Sequence, residues 1–344
     1  MSAVAEKEEK VSGGGVVEMT YREALRLAMR EEMERDDRVF IMGEEVGLFE
    51  GSYKVTAGLM DEFGEDRVRD TPISEEGFVG AGVGAAMLGE RPIVEIMTLN
   101  FLLVAMDQVV NHAAKVGAMF GGEVRVPMVI RTPNGAGNQL TAQHSQSFDG
   151  WFAGTPGLKV LAPSNPADAR SLLKAAIRDD DPVLFIENLP IYKEKGEVDT
   201  DDDSAGEIGR AAVVREGSDL TIVSHSFATV RALKAAATLE KEHGASVEVV
   251  DLRSLRPLDT QTIAESVART NRALCVEEGW PSYGVTAEIA ARIQKASFDD
   301  LDAPVERVGM AEVPLPYSKP LELAAMPGEK RLVDAALATL EGSR

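Results

Sequence analysis

Val183-Leu184-Phe185-Ile186 is a run of apolar residues with no polar position alternating through it. Such a strand suits a parallel sheet buried on both faces, whereas a half-solvated strand alternates. Just upstream, Pro166 to Ile177 reads as a helix and Leu158 to Ala162 as another short apolar strand. The same succession extends back toward the amino end. Apolar runs lie at Pro92 to Met97 and Val126 to Ile130, and shorter strands at Arg67 to Arg69 and Val39 to Met42. Helical stretches lie between them at Gly77 to Leu88 and Phe101 to Val116. The first helix opens with Thr20 and, three residues on, Glu23, a capping-box pattern. Ala24, Leu25, Ala28, Met29 and Met33 follow at helical spacing. Strand–helix alternation predicts an α/β chain whose residues 16–193 form a doubly wound parallel-sheet domain.

Glu194 to Gly209 breaks the pattern. It holds Asp199, Asp201, Asp202 and Asp203 and no aromatic residue, and it reads as an exposed linker over 194–209. A second alternating series then runs from strand Leu220 to Val223 to a last helix at Lys330 to Leu340, giving a smaller α/β domain over 210–344. Two domains suit 344 residues, because single cores rarely grow past ~250–300. Residues 1–15 are acidic and Lys-rich and end in Ser12-Gly13-Gly14-Gly15, which reads as a disordered tail. With no apolar stretch of a signal peptide there, a bacterial cytoplasm is expected.

Composition excludes several classes. With 36 Lys and Arg against 57 Asp and Glu, the formal charge is -21, which disfavours nucleic acid or an anionic membrane as partner. The single cysteine, Cys275, forms no internal disulfide and no Cys-based zinc cluster. Four scattered histidines make a His-rich metal site improbable. No run reaches the ~20 apolar residues of a membrane helix.

Ligands of parallel sheets bind outside the carboxyl ends of the strands, so three loops stand out. Asp70-Thr71-Pro72-Ile73-Ser74-Glu75-Glu76-Gly77 opens a helix made almost wholly of Gly, Ala and Val. Glu75 and Glu76 are open to two readings: complements to the helix dipole, or a carboxyl kept protonatable by burial among Ile73, Phe78 and Val79. Thr98-Leu99-Asn100-Phe101 ends in a ring that either stacks on an aromatic ligand or starts a helix in the core. Pro133 to Gln139 is glycine-rich, without the P-loop lysine or full GxGxxG spacing. Gln143-His144-Ser145-Gln146-Ser147 follows, where His144 is either a surface residue or a general acid/base. GxSxG, CxxC and HExxH are absent.

Together these loops carry a resemblance. The order and spacing of several blocks are shared with one family: Gly43-Glu44-Glu45-Val46, Gly51-Ser52-Tyr53-Lys54-Val55, Asp70 to Glu75, Val83-Gly84-Ala85-Ala86-Met87, Ala142-Gln143-His144-Ser145-Gln146, Pro156-Gly157-Leu158-Lys159-Val160, Val223-Ser224-His225-Ser226 and Glu278-Gly279-Trp280-Pro281. From about Tyr21 onward the chain resembles the beta subunits of the thiamin-diphosphate-dependent decarboxylase component of 2-oxoacid dehydrogenase complexes, most nearly those acting on pyruvate.

The resemblance implies a pyrimidine-binding domain followed by a transketolase-like C-terminal domain. It implies an α2β2 heterotetramer with cofactor at the α/β interface. The alpha subunit would supply the magnesium and diphosphate site through a Gly-Asp-Gly motif, which this chain lacks. Glu75 matches the carboxyl that hydrogen-bonds N1' of the aminopyrimidine. Glu44, Ile73 and Phe101 match residues lining that ring's pocket, and His144 matches a proton source for acetyl transfer to the lipoyl group. Met128, Ala176, Ile177, Asp179 and Asp181 match a structural potassium site made mainly of backbone carbonyls. The acidic surface suits the basic peripheral-subunit-binding domain of the dihydrolipoyl acyltransferase, or serves solubility alone. Branched-chain 2-oxoacid and acetoin dehydrogenase beta subunits remain alternatives within the family, because Thr98-Leu99-Asn100 and Asn134-Gly135-Ala136-Gly137-Asn138 depart from familiar relatives. A non-catalytic assembly subunit of the same fold is a further alternative, disfavoured by Glu75 and His144.

Overall fold

The computed structural model describes residues 15–342, so the tail reading lies, Gly15 apart, outside the described residues. The strands are β1 (Val16–Thr20), β2 (Val39–Gly43), β3 (Val68–Asp70), β4 (Arg91–Glu95), β5 (Val129–Asn134), β6 (Lys159–Leu161), β7 (Val183–Asn188), β8 (Lys195–Asp199), β9 (Ala212–Arg215), β10 (Leu220–Ser224), β11 (Val247–Asp251), β12 (Ser254–Arg256), β13 (Ala273–Val276) and β14 (Glu306–Val308). The helices are α1 (Tyr21–Arg35), α2 (Leu59–Phe63), α3 (Glu75–Met87), α4 (Ala114–Met119), α5 (Asp149–Ala153), α6 (Pro166–Arg178), α7 (Ser226–His243), α8 (Thr260–Thr270), α9 (Val285–Ala296), α10 (Lys319–Ala325) and α11 (Glu329–Leu340).

The α/β class expected from the alternation holds. One sheet has seven strands in the order β12-β6-β7-β5-β4-β2-β3, parallel except for β12. The other has five in the order β14-β13-β10-β11-β9, with β9 antiparallel. Strands β5 and β7 are buried along their whole length, and separate apolar clusters cover the two faces of the larger sheet. The Thr20–Glu23 capping box forms in full at the start of α1.

Two readings need correction. Phe101 to Val116 is not one regular helix: it begins as a 3-10 helix (Phe101–Ala105), widens to a π-helix (Gln108–Ala113) and ends as α4. Residues 194–209 are mostly exposed, as the linker reading expects, but they are not without structure. Lys195–Asp199 pairs along its length with Val16–Thr20, and Asp203 accepts from Lys174 at 2.6 Å, whose side chain is fully buried. Arg170 donates to the carbonyls of Asp199 and Asp202. The acidic run therefore complements the basic face of α6. In addition, β12, from the later half of the chain, extends the first sheet beside β6.

Two buried charge groups hold this scaffold. Arg131 on β5 joins Glu95 of β4 to Glu187 of β7, and Tyr192 donates to the same Glu187. At the seam between the sheets, Ser164 after β6 donates to Asp251 at the end of β11, and Arg253 pairs with Asp168 at 2.9 Å. Burial pushes the Asp251 carboxyl up to about 7. Because the folded value lies above the unfolded one, the folded chain holds that proton more tightly. This contribution is complete below about pH 4 and is lost as pH rises through about 7. Asp251→Asn cannot ionise, so its stability relative to the parent is expected to rise between pH 5 and pH 8 by on the order of 2 kcal/mol. Urea denaturation at the two pH values measures it, and an unchanged difference would contradict it.

Candidate active site

In the larger sheet the chain passes from β2 to β3, then returns across β2 to β4. The crevice outside the carboxyl ends of β2 and β4 is thus the fold's switch point. Gly43 ends β2 there, and a Cβ on it would lie 2.6 Å from the Glu95 carbonyl oxygen, so only glycine fits. Glu44 follows, 7% exposed, and its Oε1 has no hydrogen-bond partner among the described residues. The Asp70 carboxylate accepts from the amides of Gly47 at 2.6 Å and Leu48 at 3.0 Å, and Thr56 Oγ1 donates to the Val46 carbonyl. These bonds fix the loop that presents Glu44.

Glu75 stands at the first position of α3 and is also 7% exposed. Burial, with the Glu75 and then the Glu45 carboxylates nearby, holds the Glu44 carboxyl above its ordinary value. The crevice therefore gathers two acidic groups, one of them lacking a donor. Phe78 and Val79 are buried, as is Glu75, but Ile73 is not: it is 84% exposed. The reason lies in α3. Gly82 sits against Val94 of the sheet, while Gly84 on the outer side faces open space. Ile73 and Leu88 are exposed at the two ends of that helix.

Phe101 and His144 meet edge to face, with ring centroids 5.1 Å apart. Asn100 brings them together: its amide donates to Thr98 Oγ1 at 2.8 Å and its carbonyl accepts from Gln146 N and Nε2, both at 3.2 Å. The hydroxyls of Ser145 and Ser147 are buried without partners among the described residues. Asn100 was read only as part of a loop; a neighbour 46 positions away gives a sequence no local signal.

The smaller sheet has its own switch point, between β10 and β13, but there the first half of the chain fills it. His225, after β10, contacts Asp149 Oδ2 through Nε2 at 3.0 Å, and Asn134 donates to Asp149 Oδ1 at 2.7 Å. Burial opposes the imidazolium charge, but the Asp149 bond and the Glu277 carboxylate raise the His225 pKa. Glu277 is itself taken up by Val285 N and Thr286 N. Glu278, also past β13, is buried with an Oε1 that lacks a hydrogen-bond partner among the described residues, but Asn188 donates to its Oε2 and the Arg231 guanidinium lies 3.9 Å from Oε1.

Comparison with known proteins gives the family. The family described as "Transketolase, pyrimidine binding domain" matches residues 17–194, and "Transketolase, C-terminal domain" matches residues 209–332. The chain is 52% identical to pyruvate dehydrogenase E1 component subunit beta-1, mitochondrial, of Arabidopsis thaliana, over 94% of this chain and 89% of that protein. It is 50% identical to pyruvate dehydrogenase E1 component subunit beta of Rhizobium meliloti, over 95% of this chain and 71% of that protein. The chain belongs to the pyruvate dehydrogenase E1 beta family. A solved "split gene transketolase, inactive beta4 tetramer" superposes with a TM-score of 0.75 at 23% identity, over 96% of this chain and all of that one, a likeness of fold.

Of the five residues matched to a potassium site, Ala176 and Ile177 lie in the last turn of α6, Asp179 and Asp181 follow it, and Met128 precedes β5. The Met128 carbonyl accepts from Val183 N, and the Ala176 carbonyl from Asp179 N. Arg91 donates to the carbonyls of Ile177 at 2.9 Å and Asp179 at 3.0 Å. Lys159 bridges the carboxylates of Asp179 and Asp181. Among the described residues, no three or more His, Cys, Asp or Glu side chains gather as a metal site, and no helix is long and apolar enough to cross a membrane.

Proposed function

We propose that this chain is the beta half of a heterotetrameric decarboxylase that removes carbon dioxide from pyruvate and passes the acetyl group to the lipoyl group of a dihydrolipoyl acyltransferase. The observation carrying this reading is the pair of buried carboxyls Glu44 and Glu75 beside the switch point, with Glu44 Oε1 lacking a hydrogen-bond partner among the described residues. Such an oxygen suits a donor-bearing ring, and the aminopyrimidine of thiamin diphosphate is such a ring. When bound, thiamin diphosphate supplies the electron sink for the decarboxylation.

Each residue then has a task. Glu75 holds a proton at the ring's N1', the position where a carboxyl shifts the amino–imino balance. Glu44 accepts from a donor on the ring, and Phe101 bounds one side. His144, set by its contact with Phe101, provides the proton taken up by the dithiolane sulfur during acetyl transfer. Ile73 and the outer face of α3 are exposed apolar surface beside Glu75, which suits coverage by the alpha subunit. That subunit brings the magnesium and diphosphate site. The net charge of -21 suits a basic subunit-binding domain as a further partner.

Potassium at the end of α6 would share carbonyls that Arg91 already engages; each keeps a second lone pair. Replacing potassium by sodium is then expected to lower the midpoint of thermal unfolding, and identical curves would remove the ion from the account. The location proposed is a bacterial cytoplasm, where the buried Cys275 stays reduced; cell fractionation decides it.

The test is decarboxylation by the complex captured on a tagged form of this chain, with thiamin diphosphate, magnesium and an artificial electron acceptor. Pyruvate is expected to be preferred over a branched 2-oxoacid and acetoin. Preference for either of the others would rename the substrate. No turnover of any, with alpha subunit and cofactor present, would favour a non-catalytic assembly role.

A further inference from the structure

The segment that carries His144 begins with an unusual backbone. Gly135, Gly137, Gln139 and Thr141 all have positive φ, at 99°, 101°, 56° and 63°. Left-handed geometry is uncommon for glutamine and a genuine outlier for a β-branched threonine. Such conformations persist only where the surroundings over-determine them. Successive amides in alternating geometry also turn toward one place, forming a concavity that takes an anion.

Here the anion is internal. Glu322, on α10 near the far end of the chain, is fully buried. Its Oε1 accepts from Gly137 N at 3.0 Å and Gln139 N at 3.1 Å, and its Oε2 accepts from Gln139 N at 3.1 Å. Beyond this cradle the Thr141 carbonyl accepts from His144 N at 3.2 Å. The segment then reaches Gln146, which Asn100 holds. His144 is therefore suspended between two anchors: Asn100 on its carboxyl side, and on its amino side a cradle closed by a carboxylate 178 positions downstream of it (322 − 144).

We infer that Glu322 is a positioning residue for His144: its carboxylate closes the amide cradle at Gly137 and Gln139 and so sets the imidazole against Phe101. The inference rests on the reading of His144 as the proton source for acetyl transfer. It assigns to the C-terminal half of the chain a part in that step separate from decarboxylation.

Glu322→Gln tests it in the complex with the alpha subunit. The amide keeps the shape but turns an N–H₂ toward an N–H donor, opening one side of the cradle. Acetyl transfer to a lipoyl domain is expected to fall roughly tenfold or more, the scale of a misplaced group. Decarboxylation with an artificial acceptor is expected to stay within about twofold, because Glu44 and Glu75 lie on other loops. Amide exchange across residues 137–147 is expected to quicken while the rest of α10 keeps its protection. If both activities fall together, or if neither transfer nor exchange changes, the inference is overturned. His144→Ala is the control. If that variant lowers both activities alike, the reading of His144 fails, and faster exchange at residues 137–147 alone then judges whether Glu322 holds the segment. Should Glu322→Gln yield no soluble complex, Glu322→Asp, charged but one methylene short, is read by the same three measurements.

Discussion

Glu75→Gln, in complex with the alpha subunit, is expected to lower decarboxylation by about 10²-fold or more, the range of a lost acid/base group. The substitution keeps size and hydrogen-bonding capacity but removes the titratable proton. Glu75 is buried at the start of α3 and lies near Glu44, whose carboxyl that proximity helps to hold above its ordinary value. Two carboxyls brought together in a buried crevice have little reason to exist unless a ligand draws on them. Cofactor affinity should change far less than turnover, because the amide still fills the pocket. Steady-state rates with an artificial acceptor, paired with calorimetric titration of thiamin diphosphate, separate the two. Wild-type turnover in this variant would sink the assignment of Glu75.

Arg131→Met is expected to be the most damaging single change to the fold itself. Arg131 is 1% exposed and lies between Glu95 and Glu187 on the central strands β4, β5 and β7. Burial already pushes Glu187 above its ordinary value with the guanidinium alongside, and Met leaves two buried carboxylates with no cation. Breaking such a group by removing one partner costs about 3–5 kcal/mol, a large share of the ~5–15 kcal/mol that holds a typical protein folded. Arg131→Lys does not restore it, since one ammonium cannot reproduce the forked contacts to Glu187. Urea unfolding of the purified chain reads both, and a midpoint unchanged in Arg131→Met would contradict the role assigned to this triad.

The sheets were legible because their strands are apolar along their length; Val183 to Ile186 needed no partner to be recognised. The ribbon of β1 and β8 was not, because Lys195-Gly196-Glu197-Val198-Asp199 is polar and becomes a strand only by pairing with Val16–Thr20. The loop of Glu75 stood out because the carboxyl ends of parallel strands are where ligands sit, whereas Glu44 was marked only by the family resemblance. The contact of Phe101 with His144 was not, since Asn100 and Gln146 join loops far apart in sequence. Ile73 was misplaced for a related reason: hydrophobicity announces burial, but not whether another chain supplies it. Glu322 had no local mark at all, its partners being two backbone amides nearly two hundred residues earlier.

The central claim is that this chain holds the aminopyrimidine half of a cofactor site completed by another subunit. Isothermal titration of thiamin diphosphate with magnesium, into this chain alone and into its complex with the alpha subunit, tests it most directly. The expected result is saturable binding by the complex and none by the isolated chain over the same concentrations. Tight binding by the isolated chain would contradict the account.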